Sequence, residues 1–577
     1  MFEKNDEINK YLDARGKVIL NACPGSGKTT SIAYKLQTLT SEIVQSHSEF
    51  SGVACLSFTN IAKEEIDNKY KAFCGNSIKY PHLVSTIDSF INQYIVLPHF
   101  HLLNSGVKRP MVLDNAYVLD NFELRFLFQY RIGNKPIRFN YPPSSIQITK
   151  ENSFLSNGNK PNLTGNNLNI FHKYCTTLKK WQFKNGFLTN NDTSYVAIQL
   201  LEKYPQIGKS LIKRFPLIIL DEAQDTSEIH FAIFDKLIEL GLKNIEIIGD
   251  PYQSLYEWRE ARPDLFIERY RDNKNWFVCD YTFCRRSEQN IIDVYSILRN
   301  SDKTIKSTLN EITNKITIFK YDKDNEIETV KKFIDLTKSD KQNQIVVRGR
   351  NLLNKLLGFN SAKNYWKSNI PQSLINAKQD LTINENKKAV NEVRKIIIQI
   401  QNPKLEYNEL KNRERELKSD YKLNSKIINF INNLPSFDLS LKDWNSETEK
   451  YINSFFELET DIDFKLKQKQ GKAIYEESIA KLYNTENIES NYPISTIHQV
   501  KGKTFDALML FLGKNSKGQS ISLNDYIKPT DFPNDSKRMI YVAMSRPRNF
   551  LGIAVPSETN NDKLKEIFGN DITIIDE

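Results

Sequence analysis

The segment Val18–Thr30, VILNACPGSGKTT, constrains this chain more than any other, because an apolar strand-like run passes directly into a Gly-rich turn ending in Gly27-Lys28-Thr29. The backbone N–H groups of such a turn, aimed by a helix beginning near Lys28, form a cradle of partial positive charge that suits phosphate. Ala22, Pro24, Gly25, Ser26, Gly27, Lys28, Thr29 and Thr30 are the expected nucleotide contacts, with Lys28 on the β/γ-phosphates and Thr29 on Mg2+. The strict pattern wants glycine where Ala22 stands, so the turn needs a second signal. Phe215–Thr226, FPLIILDEAQDT, supplies it as another apolar strand that ends in adjacent carboxylates. Phosphoryl transfer uses such a pair: Asp221 to hold Mg2+ and Glu222 to polarise the attacking water. An acidic helix cap after a strand is the plainer reading of Asp221-Glu222 taken alone.

The chain has 577 residues, too many for a single core, and a prior of about 150 residues per domain gives three to five units. No apolar run approaches the ~20 residues of a membrane-spanning helix, so no membrane partner is expected. Met1–Arg15 is charged throughout and lacks a leader pattern, and a cytoplasmic location follows. The six cysteines, Cys23, Cys55, Cys74, Cys175, Cys279 and Cys284, are scattered and read as reduced structural thiols. A net charge of +10 permits nucleic-acid binding without establishing it.

Strands and helices alternate from Val18 to Tyr94, with GVACLSFT (52–59) a strand and NIAKEEIDNKY (60–70) a helix, which implies a parallel sheet with covering helices. Residues 95–205 break the pattern with Asn, Phe, Tyr and Pro, including a loop-like PPSSIQITKENSFLSNGNKPNLTGNN before helical SYVAIQLLEKY (194–204). The sheet pattern resumes at 215–250, where NIEIIGD (244–250) is a strand. A second alternating region follows from Trp276, with KITIFKY (315–321) and NQIVVRGRN (343–351), and gives way near 369 to long charged helical patterns up to 487. Strands return at 494–497, 506–512 and 549–556.

The motifs ACPGSGKT (22–29), SFTNIAKEEI (57–66), STIDSF (85–90), LDEAQDTS (220–227), IGDPYQSLYEWREA (248–261), CRRSEQNI (284–291), VVRGRN (346–351), STIHQVKGKTFDA (495–507) and MIYVAMSRPR (539–548) follow one another in an order and spacing that resemble the UvrD/Rep/PcrA-type helicases of superfamily 1. The resemblance implies an α/β fold of two RecA-like P-loop NTPase lobes, with ATP in the cleft between them and single-stranded DNA across both. Residues 1–92 and 206–276 would form the ATP-binding first lobe, and 277–368 and 488–577 the second. A mainly helical domain would be inserted in each, at 93–205 and at 369–487.

By the same resemblance Gln253 senses the γ-phosphate, Arg286 and Arg546 reach it from the second lobe, and Tyr541 joins the nucleotide contacts. Arg285 is an alternative to Arg286. An arginine at that place stabilises charge developing on the transferred phosphoryl group. Tyr256 and Trp258 would stack bases, with Arg259 coupling their loop to the ATP site, and Phe58, Thr59, Asn60, His498 and Lys501 would also touch the strand.

Three departures stand out. Glu7 and Asn9 occupy the region of the usual adenine-reading glutamine, Thr504 replaces a usual glutamate, and Glu260 replaces a usual glycine. The leading expectation is an ATP-dependent, Mg2+-using translocase or 3′-to-5′ helicase on single-stranded DNA. A DNA-stimulated ATPase that licenses a partner nuclease, and a non-enzymatic DNA-binding scaffold, are the alternatives. In size and layout the chain also resembles the helicase subunits of Gabija-like anti-phage systems, which implies an OLD-family nuclease as partner.

Overall fold

Near-continuous aliphatic runs, such as KVILNA at 17–22 and LIILD at 217–221, suit parallel strands buried on both faces beneath helices. The computed structural model describes residues 4–107, 109–113, 118–121, 124–255, 261–323, 325–338, 340–357, 365–382, 386–402, 410, 413–414, 417, 420–458, 464–467, 472–483, 493–513, 521–526 and 533–576. The chain divides into two compact units. The first is Met1–Lys315 with Lys501–Thr504 and Asp525–Phe550; the second is Ile316–Val500 with Phe505–Asn524 and Leu551–Glu577.

The first unit is built on β1 (Lys17–Ala22), β2 (Val53–Ser57), β3 (Leu83–Thr86), β4 (Leu217–Asp221), β5 (Asn244–Gly249) and β6 (Phe277–Tyr281), in the order β6-β1-β5-β4-β2-β3 with every neighbouring pair parallel. The chain leaves β1 toward β2 on one side and leaves β5 toward β6 on the other. Such a reversal opens a crevice at the C-terminal ends of the strands, where ligands of open α/β sheets bind. Helix α1 (Asp6–Asp13) precedes the sheet, and helices α2 (Lys28–Ser46) and α3 (Asn60–Cys74) follow the expected alternation.

Two boundaries differ from those expected. Strand Phe277–Tyr281, placed by sequence at the start of the second lobe, pairs with β1 from Val18↔Phe277 to Ala22↔Tyr281 and so belongs to the first sheet. Its half-exposed burial pattern is that of an edge strand, and apolar content does not say which sheet an edge joins. Within 93–205, helix Asn190–Lys203 packs Val196, Ala197, Leu200 and Leu201 into the same core as Ile218 and Leu220 of β4. A separate small core belongs to Leu124, Leu127, Ile137, Ile146, Phe171, Tyr174, Cys175 and Leu178. The loop-like stretch there holds an antiparallel hairpin, Ile146–Ile148 with Phe154–Ser156.

The second unit carries β7 (Ile316–Tyr321), β8 (Asn343–Val347), β9 (Ile494–Thr496), β10 (Phe505–Phe511), β11 (Pro547–Pro556, from Leu551 onward) and β12 (Ile572–Ile575), in the order β9-β8-β10-β11-β7-β12. Its insertion is helical: Ile370–Thr382, Asn386–Gln401, Tyr421–Asn432 and Leu441–Phe456 surround a core of Trp366, Trp444 and Tyr483. Most of the charged run 405–423 lies outside the described residues. No helix among the described residues is long and apolar enough to cross a membrane. Cys74 is partly exposed and the other five cysteines are buried, all unpaired as disulfides.

Candidate functional site

Gly25 and Gly27 adopt φ of 70° and 86°, a backbone region that excludes most side chains and here wraps the turn around an open anion cradle. A Cβ on Gly25 would stand 2.6 Å from Arg286 Cβ and 3.0 Å from Cys284 Sγ, so the turn is also closed against any larger residue. Ala22 needs no such freedom: it is the last residue of β1, buried and paired with Tyr281, which explains why the strict glycine is dispensable. Pro24 and Ser26 are buried in the turn. Lys28 opens α2, whose first turn carries no acid and no side-chain cap, leaving its N–H groups available to phosphate. Thr29 is half-buried beside Lys28, and Thr30 Oγ1 accepts from Lys69 Nζ at 3.0 Å.

Asp221 ends β4 and Glu222 follows with φ 54°, a strained conformation for a residue with a Cβ. That turn lets Glu222 Oε1 pair with Lys28 Nζ at 2.5 Å, while Gln224 Nε2 donates to Glu222 Oε2. Burial alone would raise the Glu222 carboxyl, yet Lys28 and Lys501 outweigh it and hold the group well below the ordinary carboxylate value. Asp221 goes the other way, pushed up to about 7 by burial, which Lys28 only partly offsets and Glu222 adds to. Among the described residues neither Asp221 oxygen has a hydrogen-bond partner although the residue is 1% exposed, and Ser26 Oγ is likewise orphaned. A bare buried carboxylate is costly. This donor set therefore fits a divalent cation held by Asp221 with the Thr29 hydroxyl.

A second chain of contacts joins the turn after β5 to the helix Asp535–Met544. Asp250 Oδ2 accepts from Gln253 Nε2 at 2.8 Å and from Tyr541 Oη–H at 3.2 Å, and Gln253 Oε1 accepts from Arg546 Nη2. Arg538 Nε donates to Ser254 O at 2.9 Å, fastening the same helix to the same turn. Arg286 Nη1 donates to Ser545 O at 3.0 Å, which brings the two expected arginines side by side. Burial and the Arg286 charge push Arg546 below its ordinary value, an unfavourable pairing of cations that an anion would relieve. Arg285 also reaches the turn, with its N–H on Gly25 O at 2.9 Å and Nη1 3.7 Å from where a Cβ on Gly27 would stand, so both arginines of the pair flank the cradle.

Residues 4–274 match the UvrD/REP helicase N-terminal domain and residues 282–558 the UvrD-like helicase C-terminal domain. The chain belongs to the UvrD-like helicase family. That family comprises ATP-hydrolysing DNA helicases of superfamily 1. The Gabija protein GajB of Bacillus cereus (strain VD045) is 24% identical over 310 residues, covering 52% of this chain and 50% of that protein. A probable DNA helicase II homolog of Mycoplasma capricolum subsp. capricolum is 23% identical over 305 residues, covering 52% and 41%. The ATP-dependent DNA helicase PcrA of Bacillus subtilis (strain 168) is 24% identical over 302 residues, covering 51% and 38%. The matches span half or less of the length of these relatives.

The remaining expected contact residues have these surroundings. Lys501, expected on the DNA strand, forms an ion pair with the buried Asp225 and is itself only 12% exposed. Tyr541, expected at the nucleotide, is buried with its hydroxyl on Asp250 and its ring against Tyr295. Glu7 accepts from Thr282 N and Oγ1 at 2.8 and 2.6 Å, so its carboxylate anchors the segment leading to Cys284-Arg285-Arg286, while Asn9 is exposed on α1. Phe58 and Thr59 are half-buried and Asn60 exposed at the start of α3, which Thr59 caps by accepting from Ala62 N at 3.2 Å. His498 is half-buried in the short helix Ile497–Val500 of the second unit. Tyr256, Trp258, Arg259 and Glu260 lie outside the described residues.

Sequence reasoning passed over Gln224, Asp225, Asp250 and Arg538. Gln224 links the two halves of the site, since it donates to Glu222 and its Oε1 accepts from Asp250 N at 3.1 Å. The signal was present in LDEAQDTS and IGDPYQS, but nothing local says that a glutamine two residues past a glutamate will turn back to it.

Proposed function

We propose that this chain is an ATP-driven translocase or helicase on single-stranded DNA, moving 3′ to 5′, and that it acts with a DNA-cleaving partner. The observation that carries the motor reading is the convergence of Lys28, Glu222, the unpartnered Asp221, Gln253, Arg286 and Arg546 within one compact unit.

In the geometry described, Lys28 and Glu222 satisfy each other. A nucleotide entering the cradle offers Lys28 the β/γ-phosphates instead, which releases the Glu222 carboxylate to orient and deprotonate a water in line with the γ-phosphorus. Arg286 and Arg546 then stand where negative charge grows on the transferred group. Asp221 and the Thr29 hydroxyl would hold Mg2+, which would supply charge neutralisation at the phosphate oxygens. Gln253, tethered to Arg546 and through Asp250 to Tyr541, couples the state of the γ-phosphate to the helix Asp535–Met544. Lys501 adjoins this network through Asp225, so a segment expected to follow the DNA strand also tunes the catalytic carboxylate.

The test is ATP hydrolysis by the full chain with and without an unstructured oligonucleotide, followed by unwinding of duplexes bearing a 3′ or a 5′ tail. DNA-stimulated hydrolysis with unwinding from the 3′ tail supports the reading. Hydrolysis indifferent to DNA would overturn the motor, and unwinding only from a 5′ tail would overturn the direction. The partner rests on the likeness to GajB and is tested by pull-down from the native host at low ionic strength. Recovery of this chain without any nuclease would restore a free-standing helicase.

A further inference from the structure

We propose that the first insertion carries a second nucleic-acid surface, one that takes unpaired bases on exposed phenylalanine rings. Residues 124–150 contain five cations, Arg125, Arg131, Lys135, Arg138 and Lys150, and no Asp or Glu, in a chain whose charges are otherwise mixed. Two 3-10 turns in this stretch share one pattern. Arg125–Gln129 (RFLFQ) sinks Leu127 into the local core and leaves Phe126 and Phe128 outside, and Ile137–Phe139 (IRF) sinks Ile137 and leaves Phe139 outside. Phe139 is 67% exposed, Phe128 39% and Phe126 37%.

These rings are fixed in place. Phe128 and Phe139 meet edge to face with centroids 6.1 Å apart at 74°, and Phe126 lies 6.3 Å from Trp181. Arg138 sits 4.9 Å over the Phe128 ring, held there by a bond from Nη2 to Asp120 O at 3.1 Å. Arg125, Arg131 and Lys135 are exposed around them. The exposure of Phe139 excludes a core use of that ring, and the five cations of the same stretch set the patch apart from a chance apolar surface.

Aromatic faces for bases beside cations for phosphates are the chemistry that holds single strands, and it is tolerant of sequence because every base has a π-face. A protein partner would also accept aromatic rings, but five cations in a stretch of sequence without Asp or Glu favour a polyanion over a mixed protein surface. The occupant that fits this chemistry is an unpaired stretch of DNA. Nothing in this surface depends on ATP hydrolysis.

The experiment is photo-cross-linking of a 4-thiothymidine oligonucleotide to the full chain without nucleotide, with the attachment peptide mapped by mass spectrometry. The expected peptide falls within 124–150. Phe139→Ala raises the concentration for half-maximal cross-linking of that peptide roughly tenfold, the fold-change of one stacked base, while Phe139→Tyr keeps it. Arg131→Gln with Lys135→Gln flattens its salt dependence by roughly 0.7 logarithmic units per charge removed. Attachment only to other peptides, or wild-type cross-linking by Phe139→Ala, overturns the proposal and leaves the motor reading standing. No attachment anywhere overturns both. Loss of a protein partner in the Phe139→Ala variant with unchanged DNA cross-linking reassigns the surface to protein docking and also overturns it.

Discussion

The turns after β1 and after β7 open the two sheets in the same way, first strand to covering helix, yet only one is built for phosphate. After β1 the turn Cys23–Gly27 has two glycines at positive φ, and helix Lys28–Ser46 begins with no acid and no side-chain cap. After β7 the chain passes Asp322 and Asn325 into helix Glu326–Leu336, whose first turn already holds Glu326 and Glu328. Those carboxylates occupy the positive end of the helix dipole that an anion would otherwise use. Like strand-to-helix architecture therefore gives opposite electrostatics, and function lives in the residues at the strand ends.

The sharpest break of this comparison is Glu222→Gln. It should retain ATP binding in a filter or fluorescence assay while hydrolysis falls by roughly 10²–10⁴-fold, the range for loss of a positioned general base. The idea is falsified if the purified variant turns over ATP at the wild-type rate.

Lys501→Ala comes next. It leaves Asp225, 2% exposed, as an unpaired buried charge, and breaking such a pair costs about 3–5 kcal/mol. Thermal melting should show that loss, and Lys501→Met with Asp225→Leu should recover most of it. A Lys501→Ala variant that melts like wild type and loses only DNA affinity would return Lys501 to the strand-contacting surface.

Nucleotide choice is expected to be loose, because Glu7 is committed to Thr282 and no side chain is assigned to read the base. GTP should be hydrolysed within roughly tenfold of ATP, a gap of only ~1.4 kcal/mol. Strict ATP preference in a competition assay would show that a backbone group or an unassigned side chain does the reading.

The smallest effect is expected on the other side of the comparison. Glu328→Gln breaks only an exposed contact with Lys331 at 3.8 Å, so stability should shift by less than about 1 kcal/mol. ATPase activity should stay within about twofold of wild type, as for surface changes away from a site. A large fall in hydrolysis would show that the turn after β7 takes part in the chemistry after all.

Much of the candidate site was legible in sequence because its signals are local. Gly25, Gly27 and Lys28 lie within a few residues of one another, and Asp221-Glu222 ends a run whose aliphatic content alone marks a buried strand. The strands at 17–22, 53–57, 244–249 and 316–321 and the helix at 60–74 follow for the same reason. Short strands were harder. Leu83–Thr86 and Ile572–Ile575 have four residues each, too few for a periodicity to declare itself.

What the sequence alone determined is the identity of the chemical groups and the local backbone that presents them: the glycines that permit positive φ, the lysine at a helix start, the paired carboxylates at a strand end. Only the tertiary structure decided which distant groups these meet. Lys501 lies 276 positions from Asp225 and Arg546 lies 293 from Gln253, and the edge strand Phe277–Tyr281 could have completed either sheet. The exposure of Phe126, Phe128 and Phe139 was likewise decided by the fold of their turns, since an aromatic residue carries no local mark of which side it will take. The reason is physical: φ/ψ preference and hydrogen bonding act over a few residues, whereas burial and charge pairing are settled by packing, where any apolar or charged residue can meet many partners and the whole core selects one.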